Sequence, residues 1–535
     1  MEFLDRETRR QLGFDEVWSK IAPVSSLGRA RMRRATPFTS EQYSDLEAEY
    51  DRLQRMADDL SKNPKIADDL GFLLRSAKDI SGSLKRSMEG AILDDIEFYE
   101  VKKLLGLVEK INFELEKLGW TTLLPKSLDQ CSECREALSL GQGSYDSFYI
   151  ADAYNPKLAQ IRARRVNLES TLASYRELVD RKLIQAVGRL LSMDGEITLS
   201  TVDTAAVAKL EAMHELYKVQ EKQNFVTFKL IEGEQMRRTR EELEGVRSDE
   251  ESCKEEVRTE LTLVVGEFAP RLRSVLETLA FLDFALAKAK FAAKIGGVKP
   301  ILSEDSRIRI QGGRHLIVEE EVKRGGQDYT PLSLEVLPGV TLITGPNMGG
   351  KTATLKTLGL LTAMAQYGLL VPAHSMEFRP RKFIRAHLAT AEIPKGLSSF
   401  AGEVVFLRDV IVRSSEDGLV LVDEIAHGTN PVEGAAMAQA VLEYLHGQQM
   451  ITAVTTHFPS LAGIGGLRHL RVKGLDREKL RQLGVDSLQR HMDYALEVVL
   501  EGQEDMQTSD AAIVAEALGL NPQIVNRARE LANVL

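Results

Sequence analysis

A glycine-rich turn between an apolar run and a helix-like stretch most constrains how this chain can fold. The run Val340–Thr344 is β-like and leads directly into a G-x-x-x-x-G-K-T motif, the P-loop. Its glycines allow backbone N–H groups to face phosphate oxygens, and a helix predicted from about Lys351 to Gln366 points its positive end at the same anion. The motif therefore predicts ATP binding by Gly345, Pro346, Asn347, Met348, Gly349, Gly350, Lys351 and Thr352.

Four side chains have predicted chemical roles around that phosphate site. Lys351 is expected to reach the β- and γ-phosphates, and Thr352 is expected to hold Mg²⁺. A second apolar run, Leu419–Val422, ends in Asp423 and Glu424, which is the pattern of a Walker B strand. We expect Asp423 to hold Mg²⁺ and Glu424 to polarise the attacking water, as a general base or an orienting group. The pattern predicts an ATPase with Mg²⁺ as cofactor.

A histidine follows a third apolar run, which extends from Met450 to Thr456. At the end of such a strand, His457 is expected to act in catalysis by contacting the γ-phosphate or the attacking water. The alternative is a histidine with a purely structural role.

The pattern of apolar residues in the sequence changes near residue 300. Residues 1–298 are rich in Leu, Glu, Lys, Arg and Ala with helical spacing of apolar positions, and a long helix is predicted from about 237 to 293. Residues 299–535 alternate short apolar runs with helical stretches, which favours a parallel sheet with flanking helices. The predicted fold is thus an α/β P-loop NTPase domain, residues 299–535, preceded by a mainly α-helical core and lever domain, residues 1–298.

Composition excludes several classes of protein. The 535 residues have a formal net charge of −10, so the chain as a whole is not a strongly basic nucleic-acid coat. Three cysteines rule out a disulfide scaffold, and Cys131 and Cys134 form a C-x-x-C pair that lacks two further ligands for zinc. No secretory signal or membrane-length apolar stretch is found, so a cytoplasmic protein without membrane contact is expected.

Several phrases of the C-terminal half resemble the MutS family of ATPases. They are LITGPNMGGKTATLKTLGLLTAMAQYGLLVPA (342–373), SSFAGE (398–403), LVDEIAHGTNPVEGAAMAQAVLEYL (421–445) and TTHFPSL (455–461). The helical half is similar more loosely, and the shorter second branch of the family is the nearest. That branch usually lacks the mismatch-reading domain, and Phe98-Tyr99-Glu100, which matches the Phe-x-Glu wedge of that domain, is interpreted here as part of a helix. The branch commonly ends in a small nuclease domain, which is not expected here because the sequence stops at Leu535.

The resemblance implies a homodimer with shared sites. A C-terminal helical segment, about 508–535, would mediate dimerisation, and Ser398 and Ser399 would reach the nucleotide of the partner subunit. Tyr329 would stack on adenine, or it is an ordinary packing aromatic.

Two functions remain open for the helical half. One is an ATP-gated clamp for mismatched or branched double-stranded DNA, with candidate phosphate contacts at Arg162, Arg164, Arg165, Arg237, Arg238 and Arg240. The other is a protein-remodelling ATPase that acts on a partner enzyme. The family resemblance favours the DNA clamp, whereas the acidic balance and the expected lack of a mismatch reader and a nuclease favour the partner enzyme.

Overall fold

The computed structural model describes residues 2–142, 147–346, 349–388, 399–475, 492–499, 515 and 520–532. By contacts between residues the chain forms two compact units. The first, here called the ATPase unit after its predicted activity, comprises Met1–Ser76, Thr122–Leu124 and Leu279–Leu535. The second unit comprises Ala77–Thr121 and Pro125–Thr278.

The elements up to residue 298 are mostly helical. The helices are α1 (Arg6–Gln11), α2 (Phe14–Ser19), α3 (Ser26–Arg33), α4 (Tyr43–Lys62), α5 (Lys65–Arg75), α6 (Ser81–Met88), α7 (Asp95–Leu118), α8 (Ser132–Ala137), α9 (Pro156–Val187), α10 (Thr204–Glu211) and α11 (Glu234–Ile295). The strands are β1 (Glu196–Ser200), β2 (Leu216–Glu221) and β3 (Phe225–Leu230).

Strands and helices alternate from residue 299 onwards. The strands are β4 (Ile301–Leu302), β5 (Ile308–Gly313), β6 (Leu332–Val336), β7 (Gly339–Thr344), β8 (Ser375–Phe378), β9 (Phe383–His387), β10 (Gly418–Val422), β11 (Ile451–Thr455), β12 (Arg468–Leu475) and β13 (Met492–Val499). The helices are α12 (Leu316–Arg324), α13 (Lys351–Gln366), α14 (Ser399–Ile411), α15 (Pro431–His446) and α16 (Pro522–Ala532).

The ATPase unit is organised around a six-stranded sheet in the order β13-β12-β7-β11-β10-β9. The strands from β12 to β9 pair in parallel, whereas β13 pairs antiparallel with β12. The structure therefore confirms an α/β region that follows a helix-rich N-terminal half in the sequence. The predicted parallel sheet is instead mixed, because β13 is antiparallel. Burial explains the apolar runs, because every residue of β7, β10 and β11 is buried.

Helices cover both faces of this sheet. Val420 and Val422 lie in one core cluster with Leu442 of α15, on one face. Leu421 points to the opposite face, since side chains alternate along a strand. There α13 approaches closely because residue 359 is glycine: a Cβ on Gly359 would lie 2.6 Å from Leu421 Cδ1.

The N-terminal segment belongs to the same unit as the sheet. Leu4 forms a parallel bridge with Ile384, and Thr8 Oγ1 accepts a hydrogen bond from the Ala386 backbone N–H. The start of the chain, from Leu4 to Thr8, thus contacts edge strand β9. Residues 1–76 belong to this unit, so the compact units differ from the domain boundary predicted at residue 298, which stays a prediction. A second, four-stranded sheet in the order β4-β8-β5-β6 completes the unit.

The second unit contains a small antiparallel sheet that the sequence did not reveal. Its order is β1-β3-β2, and its core includes Val226 and Phe228 packed with Leu183 of α9. Five of the six residues of β2 are exposed, so this strand lacks the apolar alternation that predicts a strand. The sheet therefore interrupts a region that was expected to be helical.

Two other predictions for the helical half agree with the structure. The long helix α11 covers the stretch expected at about 237–293, and Phe98 lies fully buried within α7. Across the described residues, no helix has the length and apolar character needed to cross a bilayer.

A buried ion pair lies at the C-terminal end of the P-loop helix. Lys288 of α11 donates to Glu49 Oε1 at 3.0 Å and to the carbonyl oxygens of Tyr367 and Gly368 at 3.3 Å each. Burial alone would raise the pKa of Glu49, but Lys288 and Arg52 outweigh it and hold this pKa below its ordinary value. The ammonium thus satisfies a buried carboxylate and two helix-terminal carbonyls together.

We expect Lys288→Met to destabilise the ATPase unit by about 3 kcal/mol, because Glu49 loses a buried cation. Lys290→Met is the matched control: it lies on the same helix, is exposed and pairs with Asp68 only at 3.5 Å. Its cost should stay within about 1 kcal/mol. Calorimetric unfolding midpoints measure both. Since the pKa of Glu49 is lowered, the Lys288→Met deficit should be full above about pH 4.3 and shrink as the pH falls through the lowered pKa.

Candidate active site

The P-loop follows β7 in a conformation that only glycine adopts readily. Gly345 has φ +140° and Gly350 has φ +81°. A Cβ on Gly345 would lie 2.8 Å from the Cβ of Val472 on β12, closer than real side chains approach. The glycines at both ends of the loop are therefore required by backbone angle, and the first also by space. Asn347 and Met348, predicted members of the loop, lie outside the described residues.

Lys351 opens helix α13 directly after the loop. Its Nζ donates to the carbonyl oxygens of Gly345 at 2.9 Å and Pro346 at 3.1 Å, so the ammonium lies over the loop backbone. Burial lowers the pKa of Lys351, while the carboxylates of Glu424 and Asp423 oppose that shift. The cation and both Walker B carboxylates therefore act on one another within a single site.

Asp423 joins three elements at the end of β10. Its Oδ2 accepts from Thr352 Oγ1 at 2.6 Å, and its Oδ1 accepts from Thr455 Oγ1 at 2.5 Å. Its backbone N–H donates to His387 O at the end of β9. The two residues predicted to hold Mg²⁺, Thr352 and Asp423, are thus in direct contact, as oxygen ligands of one small cation must be near one another.

Glu424 has an unusual backbone conformation for a non-glycine residue, with φ +53°. Its N–H donates to Thr455 Oγ1 at 2.8 Å, which fixes the start of the turn. Its Oε1 lies 2.6 Å from His457 Nε2, and because the carboxylate accepts, Nε2 is the donor. Both side chains are about one-third exposed. The structure therefore places His457 against the carboxylate expected to act on water.

Among the described side chains, none of the other predicted nucleotide contacts is found next to Asp423 and Glu424. The Tyr329 hydroxyl accepts from the backbone N–H of His315 at 2.9 Å, at the start of α12. Ser398 lies outside the described residues, and Ser399 begins α14 with a side chain that is not described. Adenine stacking by Tyr329 and the nucleotide contacts of both serines stay predictions.

Three further residues of the site were not singled out from the sequence. Thr455 contacts both Asp423 and Glu424, and Tyr494 of β13 packs on the P-loop, with its ring 3.0 Å from the position of a Cβ on Gly350. Glu403 of α14 accepts from the Ala426 N–H. Of these three, only Thr455 could have been found from the sequence. It ends an apolar strand, and the ends of neighbouring parallel strands lie at the same edge of the sheet as Asp423.

The C-x-x-C pair has the character of buried packing residues. Burial raises the pKa of Cys131 to about 11 and that of Cys134 to about 12. In the described parts of the chain, no three His, Cys, Asp or Glu side chains are grouped so that they could hold a metal. Burial therefore disfavours the thiolate form of both side chains.

Comparison with known proteins points to one family. Residues 341–535 match the family model of MutS domain V. The chain is 30% identical over 471 residues to the Endonuclease MutS2 of Geobacillus sp. (strain WCH70), an alignment that covers 84% of this chain and 56% of that protein. It is 28% identical over 540 residues to the Endonuclease MutS2 of Pelotomaculum thermopropionicum, covering 98% and 64%. The chain is therefore similar to MutS-family proteins, by the domain V match over residues 341–535 and at lower identity over most of its length.

The resemblance to the shorter branch of the family is confirmed by these relatives. A third, the Endonuclease MutS2 of Geobacillus kaustophilus, is 36% identical over 270 residues, 48% of this chain and 31% of that protein. In the two longer alignments the chain spans between half and two thirds of the relative's length.

The glycine requirement of the P-loop can be tested with two alanine variants. Gly345→Ala should weaken ATP binding about tenfold or more, because the new Cβ is strained by its backbone angle and by Val472. Gly465→Ala is the control, since a Cβ there meets nothing within 4 Å. Titration with a fluorescent ATP analogue measures both. Equal affinity of the two variants would contradict the assigned loop geometry.

Proposed function

We propose that this chain binds ATP with Mg²⁺ and hydrolyses it. The single observation that carries the proposal is Asp423, whose two carboxylate oxygens accept from Thr352 of the P-loop helix and Thr455 of β11. That contact brings a phosphate loop, a metal-binding carboxylate and a candidate base to one sheet edge. Similarity to MutS domain V supports the same chemistry.

The residues present fit Mg²⁺ and a nucleotide phosphate. A carboxylate and a hydroxyl in contact are the hard oxygen ligands that Mg²⁺ takes in nucleotide sites. When bound, Mg²⁺ would supply positive charge against the phosphate oxygens. Lys351, at the N-terminus of α13, would add its own charge and that of the helix end. The positive φ angles of Gly345 and Gly350 let the loop backbone turn tightly, as a phosphate-binding loop requires.

Glu424 is the proposed catalytic carboxylate and His457 its orienting partner. With Oε1 engaged by His457 Nε2–H, the second carboxylate oxygen is left to accept a proton from water. The Thr455 hydroxyl donates to the Asp423 carboxylate and accepts from the Glu424 N–H. This one hydroxyl therefore couples the proposed metal site to the proposed water site.

Two variants separate binding from hydrolysis. Glu424→Gln should bind ATP about as tightly as the wild type but lose on the order of 10²-fold or more in kcat, because the amide cannot take a proton. Lys351→Ala should instead weaken ATP binding itself. Binding by fluorescence and phosphate release under saturating ATP measure the two effects. Hydrolysis by Glu424→Gln at the wild-type rate would disprove the assignment.

We propose DNA as the first ligand to test for the second unit, in the form of an ATP-gated clamp for mismatched or branched duplexes. The support is similarity to a DNA-acting family and the name of its relatives, endonucleases. A homodimer with shared nucleotide sites, joined by residues of the C-terminal segment, is part of this proposal. That segment lies largely outside the described residues.

A specific observation favours the second candidate, remodelling of a partner protein. Asp and Glu outnumber Lys and Arg in the second unit, and all six candidate DNA-contacting arginines pair with carboxylates. These pairs are Arg162 with Asp152 and Glu250, Arg164 with Glu242, Arg165 with Glu250, Arg237 with Glu241, Arg238 with Glu234, and Arg240 with Glu232. The side chain of Glu250 is buried, so Arg162 and Arg165 are committed to it.

The exposed arginines of α11 give the sharper test. Pairs at such exposed positions are worth about 0–1 kcal/mol, so Arg237, Arg238 and Arg240 can exchange a carboxylate for a phosphate. If the ligand is DNA, replacing these three with Ala should flatten the log–log salt dependence of binding by up to about 0.9 per lost phosphate contact. Arg324→Ala, in an exposed pair of the ATPase unit, should leave it unchanged.

Binding is measured with mismatched, branched and plain duplexes at two salt concentrations. Affinity that falls steeply with salt supports the clamp. No binding to any duplex at low salt would remove the DNA hypothesis and leave the partner-protein function, for which stimulation of hydrolysis should require that protein.

A further inference from the structure

A buried carboxylate outside the P-loop and Walker B motifs contacts the turn that carries Glu424. Glu403 lies on α14, is 6% exposed, and its Oε1 accepts from the Ala426 N–H at 2.8 Å. Burial raises the pKa of Glu403, while the Ala426 hydrogen bond and nearby His427 oppose that shift. Burial removes this carboxylate from water, and the hydrogen bond from the Ala426 N–H compensates part of the lost solvation.

The turn itself is held in a conformation that its residues do not favour. Glu424 and Ala426 have φ +53° and +59°, and neither is glycine. Such angles persist only where surrounding contacts hold them. The Cβ of each residue makes this region costly for an L-amino acid.

Three successive N–H groups of the turn are tied to other elements. The Glu424 N–H donates to Thr455 Oγ1 and the Ile425 N–H donates to Thr455 O at 3.2 Å, both on β11. The Ala426 N–H donates to Glu403 on α14. One side of the turn is thus anchored by the neighbouring strand and the other by a helix.

We propose that Glu403 is a positioning residue that keeps the Glu424 carboxylate in its reactive place by holding Ala426 in the left-handed conformation. The inference rests on the proposed hydrolysis of ATP and adds a residue to it. Glu403 does not touch water or phosphate in this role. This role requires an acceptor oxygen for the Ala426 N–H but does not require a negative charge.

The acceptor requirement is tested with Glu403→Gln and Glu403→Leu in the full chain. Glutamine retains an oxygen acceptor, so most of the ATPase rate should remain. Leucine removes it and should lower kcat on the order of 10²-fold, the scale of a misplaced catalytic group, with ATP affinity within about twofold of wild type. Equal loss in both variants, or a wild-type rate in Glu403→Leu, would overturn the proposal.

A second variant distinguishes positioning from loss of packing. Glycine adopts positive φ without a Cβ penalty, so Ala426→Gly added to Glu403→Leu should recover kcat by about tenfold. A role in packing α14 would not respond to a glycine at 426. Absence of any recovery contradicts the positioning role.

Hydrogen exchange separates this proposal from the proposed ATPase activity. Without ATP, the peptide containing residues 423–427 should exchange faster in Glu403→Leu than in wild type, and at the wild-type rate in Glu403→Gln. If the wild-type chain does not hydrolyse ATP while this exchange pattern holds, the ATPase proposal fails and the Glu403 contact stands. Unchanged exchange in Glu403→Leu refutes the contact itself. Matching thermal midpoints establish that all variants fold.

Discussion

The parallel pairing of β7, β11 and β10 is the constraint on which the rest of the site depends. Parallel strands end at the same edge of a sheet, so three loops distant in sequence begin side by side. The register pairs Val422 with Val454 and Thr455 with Ile343, which sets Asp423 beside the strand that ends in Thr455. All three strands are buried on both faces, so a slip of register would force side chains against closely packed neighbours that do not fit them.

The turn after β10 shows how the site combines order with strain. Strand β10 ends at Val422, directly before Asp423, and the chain then enters two positive φ angles within three residues, at Glu424 and Ala426. Hydrogen bonds from β11 and α14 hold that turn, so the direction of the Glu424 carboxylate depends on elements from three parts of the sequence. His457 then fixes one oxygen of the carboxylate. A carboxylate held this way would need little reorganisation in the proposed hydrolysis of ATP.

The two compact units differ in the environment of their charged side chains. In the ATPase unit, cations such as Lys351 and Lys288 are buried and serve defined carboxylates and carbonyls. In the second unit, Asp and Glu outnumber Lys and Arg, and the six candidate DNA-contacting arginines pair with carboxylates. Net charge alone does not decide a ligand, whereas the distinction between buried and exposed pairs identifies which arginines are available. That distinction separates Arg162 and Arg165 from the three arginines near the start of α11.

The sequence by itself determined the elements whose signals are local. Glycine spacing located the P-loop, apolar runs located β7, β10 and β11, and helical periodicity located α11, because each pattern arises from contacts within a few residues. The same reasoning missed β1–β3, whose exposed β2 has no alternation, and the antiparallel β13. Only the tertiary structure decided that Thr455 touches Asp423, that Leu4 and Thr8 contact β9, and that Glu403 accepts from the Ala426 N–H. These contacts join residues far apart in sequence, and apart from the position of Thr455 at the end of an apolar strand, no local pattern in one sequence indicates them.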